Sequence, residues 1–524
     1  MKLLDRRKFI YIGSLGVSVL AMDPFISACN SLSSNKKLSA SKNFNADLDI
    51  ELNAVERDIP LFPGKRTKVW RFESKLISGD AESLQQINNS YLGPLIRVKK
   101  GQKVRVRFTN LLSEVSIVHF HGMHVPELYD GHPKYAIPSG GTYIYEFEIM
   151  NKAGTYWYHP HPHTRTGPQV YYGLAGMLVV TDEEEQRLNL PSGEFDIPII
   201  IQDRTFDADN QLVYNTGGMM GNMIGFLGDQ IMINGLVDQS ISVAAGTYRF
   251  RLLNGSNSRF YKLAWADGTP LTVIGTDGSL LDKPLIKAYI ILGVAERIDL
   301  WVDFSNKPVG SELLLKSMPF TASIQNMGMM GSMQKSLPLG SEYSILNIKV
   351  EKDGGKHYAL PEKLVELNKN DPAKAINYNQ PRTFKLFMDR MRWTIDGRTF
   401  EMQASTDHET VKLNTTEIWE FINNSMVAGN GMMGNGMMQM SHPIHLHQVQ
   451  FNILERNIDE MDQKVWSSVK DGFVDEGWKD TVLVMPGMKI KILMAFKDFK
   501  GLFLYHCHNL EHEDMGMMRN YKIV

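Results

Sequence analysis

One strand-like phrase is written three times along this chain, and its spacing narrows the available folds more than any other feature. Lys103-Val-Arg-Val-Arg-Phe-Thr-Asn110, Tyr248-Arg-Phe-Arg-Leu-Leu-Asn254 and Glu417-Ile-Trp-Glu-Phe-Ile-Asn423 each alternate apolar with polar residues and end in asparagine. That is the pattern of a half-buried strand entering a turn. A second phrase follows each copy: Gly154-Thr-Tyr-Trp-Tyr-His159, Gly310-Ser-Glu-Leu-Leu-Leu315 and Gly501-Leu-Phe-Leu-Tyr-His506, with leucine in the middle copy where the outer two carry histidine. The asparagines lie 144 and then 169 residues apart, room for a β-sandwich of about 100 residues with its loops. The sequence therefore predicts an all-β chain of three tandem Greek-key sandwiches at 45–185, 190–355 and 381–524, with a polar linker at 356–380.

Composition excludes several classes of function. Lys and Arg number 56 against 58 Asp and Glu, a formal charge of −2, so no broad basic surface is available for nucleic acid. Two cysteines, Cys29 and Cys507, cannot staple a disulfide scaffold. Residues 1–29 read as an export signal: basic Arg6-Arg7-Lys8, an apolar run from Phe9 to Met22, then Ile26-Ser27-Ala28-Cys29. The run is shorter than the roughly 20 residues a membrane-spanning helix needs, and no other stretch is long enough. The paired arginines resemble a twin-arginine signal, which implies delivery to the periplasm or cell envelope. Ile-Ser-Ala-Cys resembles a lipobox, in which Cys29 becomes a lipid anchor and 30–44 a flexible tether; simple cleavage after Ala28 is the alternative.

Ten of the 15 histidines fall in four short motifs: His119-Phe-His121, His159-Pro-His161, His442-Pro-Ile-His445-Leu-His447, and His506-Cys507-His508 with His512. The motifs occur only in the first and third repeats, so a site built from both lies where those repeats meet. His-x-His on a strand sends two imidazoles to one face, and His506-Cys507-His508 sends its sulfur to the other. One strand thereby addresses two metal groups. Zinc fits poorly, because structural zinc sites close at four ligands and are usually rich in cysteine. Cys507, His512 and Met517, with His442 supplying a second imidazole, instead make the one-Cys, two-His, weak-Met arrangement of blue copper. His357 and His408 stand alone and read as ordinary surface or core residues.

Together the four motifs, in this order, resemble those of three-domain bacterial multicopper oxidases, above all copper-efflux cuprous oxidases and spore-coat-type laccases, over residues 45–524. The resemblance implies cupredoxin-like domains and four copper ions. It implies His442, Cys507, His512 and Met517 as type 1 ligands, and His119 and His445 at type 2. His121, His159, His161, His447, His506 and His508 would hold the type 3 pair. By the same resemblance a reductant feeds electrons through type 1 and Cys507 to a trinuclear cluster, where dioxygen becomes two waters, with Asp130 and Glu513 delivering protons. Asp480, in Trp478-Lys-Asp-Thr-Val482, resembles a family segment and reads as a hydrogen-bonding residue. His124, His132 and His163 fall outside the implied ligand set.

Methionine points to the substrate. Of 30 methionines, many crowd into Met219 to Met223, Met318 to Met333 and Met426 to Met440. The last lacks strand or helix periodicity and is interleaved with Gly and Asn, so it reads as a thioether-rich loop suited to Cu(I). Met388, Asp389, Met391 and Met440 are candidates for an outer substrate-copper site. The long methionine-rich insertion of the copper-efflux oxidases is missing, since Met391-Arg-Trp393 runs directly into Thr394-Ile-Asp396. The expected function is oxidation of Cu(I) by dioxygen. The alternatives are laccase-like or bilirubin-oxidase-like oxidation of a small aromatic reductant, and, from another class, copper sequestration without catalysis or a copperless cell-division scaffold.

Overall fold

Why the repeated phrase ends in asparagine becomes plain in the computed structural model, which describes residues 40–214, 216–322, 336–423 and 439–524. In each copy the strand pairs in parallel with one neighbour and antiparallel with another. Lys103–Asn110 lies between Leu48–Ile59 and Thr142–Glu148. Thr247–Asn254 lies between Asp196–Arg204 and Arg297–Asp303, and Thr415–Asn423 between Arg382–Asp389 and Lys489–Phe496. The terminal amide then turns inward and donates to carbonyls across the fold: Asn110 to Ile137 O at 3.1 Å, Asn254 to Leu292 O at 3.1 Å, Asn423 to Val484 O at 2.9 Å. All three asparagines are buried. Each is a polar stitch between strand end and facing layer that an apolar residue could not make.

The second phrase supplies an inner strand of the partner sheet in each copy: Gly154–Pro160, Glu312–Ser317 and Gly501–Cys507. Six sheets result, of four, five, six, five, five and five strands, and they fall in sequence order into three pairs. The fold is thus all-β and cupredoxin-like, with few helices. The third pair encloses an apolar core that includes Phe384, Trp393, Trp419 and Ile492, and it also takes in Cys507 and Met517. From Lys42 onward the chain forms one unit, and buried ion pairs cross between sandwiches. Asp196 accepts from Arg97 of the first and Arg251 of the second; Arg249 meets Asp299 and Glu185.

Among the described residues no helix is long and apolar enough to cross a membrane. The export signal of 1–29, Cys29, and most of the two longer methionine segments lie outside the described residues. Of the first methionine segment, Met219–Ile224 is a short helix.

Candidate metal centre

Strand register sorts the third-sandwich ligands onto two faces. His442–Leu446 pairs with Gly501–Cys507 so that Ile444 sits opposite Cys507 and His445 opposite His506. Side chains alternate along both strands. His442 and Cys507 therefore share one face, and His445, His447, His506 and His508 the other. In the first sandwich Val118–His121 pairs with Gly154–Pro160, with His119 opposite His159. The two sets meet, and all ten imidazoles are buried.

Distances divide the eight histidines of the second face into three groups. His119 Nε2 and His445 Nε2 lie 3.3 Å apart. His159 Nε2 is 3.4 Å from both His121 Nδ1 and His508 Nε2. His506 Nε2 is 3.3 Å from His161 Nε2 and 3.2 Å from His447 Nε2. The nitrogens facing away decide the tautomers. His119 Nδ1 donates to Asp130 O at 2.5 Å, His445 Nδ1 to Asp480 O at 2.8 Å, His159 Nδ1 to Pro160 O at 2.9 Å and His447 Nδ1 to Asp130 Oδ2 at 2.8 Å. These partners only accept, so each ring carries its proton on the outer nitrogen and turns a lone pair inward. In the His119–His445 pair lone pair then faces lone pair at 3.3 Å, a repulsive contact that only a cation between them relieves. Burial reinforces this. It holds His119, His121, His445, His447 and His508 far below the ordinary imidazole range, His159 at about 3 and His161 at about 4, with neighbouring rings adding to most of these shifts. Neutral, convergent imidazoles are the donors a Cu(II) or Cu(I) ion takes.

The other face carries a smaller group of the same kind. Cys507 Sγ lies 3.4 Å from His442 Nδ1 and 3.6 Å from His512 Nδ1, and the two nitrogens are 3.3 Å apart. Met517 is tied to it by backbone, its carbonyl accepting from Cys507 N at 3.0 Å and its amide donating to His512 O at 2.9 Å. Burial pushes the Cys507 thiol up; a bound cation reverses that preference and takes the thiolate. His512 Nε2 donates to Met223 O at 2.9 Å, and Trp393, whose ring lies 4.7 Å from that of His442, donates to the same carbonyl at 2.8 Å. The second sandwich thus caps this group directly. The sequence marks Met223 only as a thioether of the first methionine segment, and gives no sign of the contact made by its carbonyl or by Trp393.

Both candidate proton donors are buried beside the cluster. Asp130 reaches His447 through its carboxylate and His119 through its carbonyl. Burial, with Glu127 adding, holds its carboxyl well above the ordinary range. Glu513 Oε2 is 3.1 Å from His506 Nδ1 and Oε1 3.6 Å from His161 Nε2. Burial alone would raise its carboxyl, but His161 and His506 bring it down to about 2. Asp480, expected to hydrogen-bond, touches two ligand histidines: its Oδ1 is 3.0 Å from His121 Nε2 and its carbonyl accepts from His445. Burial opposes the charge on Arg297, but Asp480 and Asp277 outweigh it and keep the guanidinium protonated.

The outer substrate candidates are spread out. Asp389 and Met391 stand at an exposed hairpin tip, with Met391 42 % exposed and in the left-handed region at φ 64°. Met388 is the cross-strand neighbour of Trp393. Met440 is buried in an apolar cleft with Ile224, Phe260, Leu339 and Met485, next to Ser441 and so to His442. Asp389 joins none of the ligand clusters among the described residues. His124 bonds Asp498 and Gln448 O, His132 bonds Asn520, and His163 lies tilted against Phe400 with ring centres 4.8 Å apart.

Sandwiches in threes, with a sulfur group and a histidine cluster on opposite faces of one strand pair, define a copper-dependent oxidoreductase. Family models described as multicopper oxidase match residues 71–185 and 375–524. The crystal structure of McoA from Aquifex aeolicus is similar at 35% identity and a TM-score of 0.75, over 92% of this chain and 97% of that one. A laccase of Bacillus stratosphericus is 30% identical over 90% of this chain and 92% of its own length. A Campylobacter jejuni multicopper oxidase, titled a metallo-oxidase, is 27% identical with a TM-score of 0.71, over 93% of each chain. The chain belongs to the multicopper oxidase family.

Proposed function

We propose that this chain holds four coppers and couples four one-electron oxidations, with Cu(I) as the reductant, to reduction of dioxygen to two waters. One observation carries the four-copper reading: Cys507 with His442 and four of the eight buried imidazoles lie on opposite faces of the same strand pair, and the other four imidazoles meet them from the first sandwich. His442, Cys507, His512 and Met517 hold type 1; His119 and His445 type 2; His121, His159 and His508, with His161, His447 and His506, the type 3 pair. Bound copper supplies reversible one-electron transfer at the sulfur group and four-electron reduction of dioxygen at the cluster. Asp130 holds a proton within reach of the ligand rings and releases it as oxygen is reduced, and Glu513, ionised beside His161 and His506, accepts protons and passes them on. The buried cluster keeps the reductant away from partly reduced oxygen.

Cu(I) as substrate is supported by the thioether-rich segments, one of which runs into buried Met440 beside His442, and by the metallo-oxidase among the relatives. The cleft beside His442 is lined by apolar Phe260, Met440 and Met485, and a laccase is among the relatives, which together favour laccase-like turnover as the second reading. An oxygen electrode separates them. Under the Cu(I) reading, oxygen uptake with buffered Cu(I) exceeds that with phenols, and deleting 426–438 lowers the former selectively. Phenol turnover that is high without added copper and indifferent to the deletion would establish the laccase reading. Copper bound without oxygen uptake would mean sequestration. The Arg6-Arg7 segment supports action at the periplasm or cell envelope, with Cys29 as the anchor.

A further inference from the structure

We infer that Arg297, in the second sandwich, is a positioning residue for the cluster: through Asp480 it holds His121 in the tautomer that turns Nδ1 inward. This rests on the copper reading of the cluster. Seven of the eight cluster histidines turn Nε2 toward their neighbours, and His121 alone turns Nδ1. The cause lies on its other side. His121 Nε2 donates to Asp480 Oδ1 at 3.0 Å, and because a carboxylate only accepts, the ring proton is fixed on Nε2 and the lone pair on Nδ1.

Asp480 is itself immobilised. Arg297 Nη1 donates to Oδ1 at 2.7 Å and Nη2 to Oδ2 at 2.5 Å, a two-armed grip between fully buried groups. The guanidinium has no freedom left. Its remaining N–H groups go to Thr155 O at 2.9 Å, Ala295 O at 2.9 Å and Asp277 O at 3.0 Å, so all five donors are used. The turn after His121 is shaped around the pair. Gly122 sits at φ 81°, and a side-chain carbon there would come within 2.3 Å of Asp480 Oδ2 and 3.0 Å of Arg297 Nη2. His121, His445 and Asp480 bring donors within 4.8 Å of one another. With Asp480 committed to Arg297 and the Nε2 proton already engaged, that trio is a brace and not another cation site.

The test begins with the copper-free protein labelled with nitrogen-15 at histidine, whose long-range proton–nitrogen correlations report each ring's tautomer. Wild-type His121 is expected as the Nε2–H form; an Nδ1–H form would overturn the inference without any variant. In Arg297→Lys, which keeps the charge but loses the fork, His121 is expected to become a mixture of tautomers. Copper should then bind the cluster roughly 10- to 100-fold more weakly, while the blue band of the Cys507 group persists as evidence of folding. A purely structural role would lower the melting temperature and leave the tautomer and the copper stoichiometry unchanged, which would also overturn it. Failure of wild-type protein to take up copper at the cluster would instead refute the copper reading, whatever the His121 signal shows.

Discussion

Cys507 carries the heaviest chemical load of any single residue. It is the one free thiol among the described residues, wholly buried, and it reaches two imidazoles through Sγ. Replacing it with serine removes the soft donor while leaving the eight-histidine face untouched. Cys507→Ser is expected to abolish the blue absorption and oxygen uptake while the cluster keeps its copper, as metal analysis beside the visible spectrum would show. Asp130 should separate differently. Asp130→Asn still accepts from His447 but has no proton to release. Anaerobic bleaching of the blue band by reductant should stay near wild type, and oxygen consumption should slow by about 10²- to 10⁴-fold; equal loss in both assays would remove Asp130 from the proton path.

Strand alternation turns those residues into two sites, which is why so much of the centre could be read in advance. His-x-His and His-Cys-His are local, and the period of two along a strand fixes which atoms share a face. The capping of the sulfur group was not local. It depends on Met223 O, a backbone atom in a short helix, and on Trp393 far along the chain; a carbonyl leaves no signature in side-chain sequence. Arg297 was equally silent, one arginine among many until the fold set it against Asp480, 183 positions away. Register itself can be tested. An alanine inserted after Leu504 shifts Tyr505–Cys507 by one against His442–Leu446 and swaps the faces. Blue band and cluster copper should vanish together, unlike the selective loss in Cys507→Ser; retention of either would show that the pairing re-forms.

Across the whole molecule, buried charge holds the sandwiches in relation to one another. Burial works to raise the Asp196 carboxyl, but Arg251, Arg249 and Arg97 overcome it and bring it from the ordinary 3.8 to about 2. A carboxyl lowered on folding adds stability above its unfolded value and loses it as pH falls toward the folded one. Roughly 2 kcal/mol should therefore disappear between about pH 4 and pH 2. Asp196→Asn is expected to cost about 3–5 kcal/mol at neutral pH, because it strands buried arginines, and to flatten that acid limb. Denaturant melts at pH 7, 4 and 3 would show both effects, and an unchanged acid limb would place the sensitivity elsewhere.

Because Cys507 shares its strand with His506 and lies opposite Ile444, the neighbour of His445, the gap between the sulfur group and the histidine cluster is a count of covalent bonds. Bond counts do not stretch when surface loops are exchanged. A loop grafted from a relative with a different appetite should change what the chassis feeds on and leave its internal wiring at the same length.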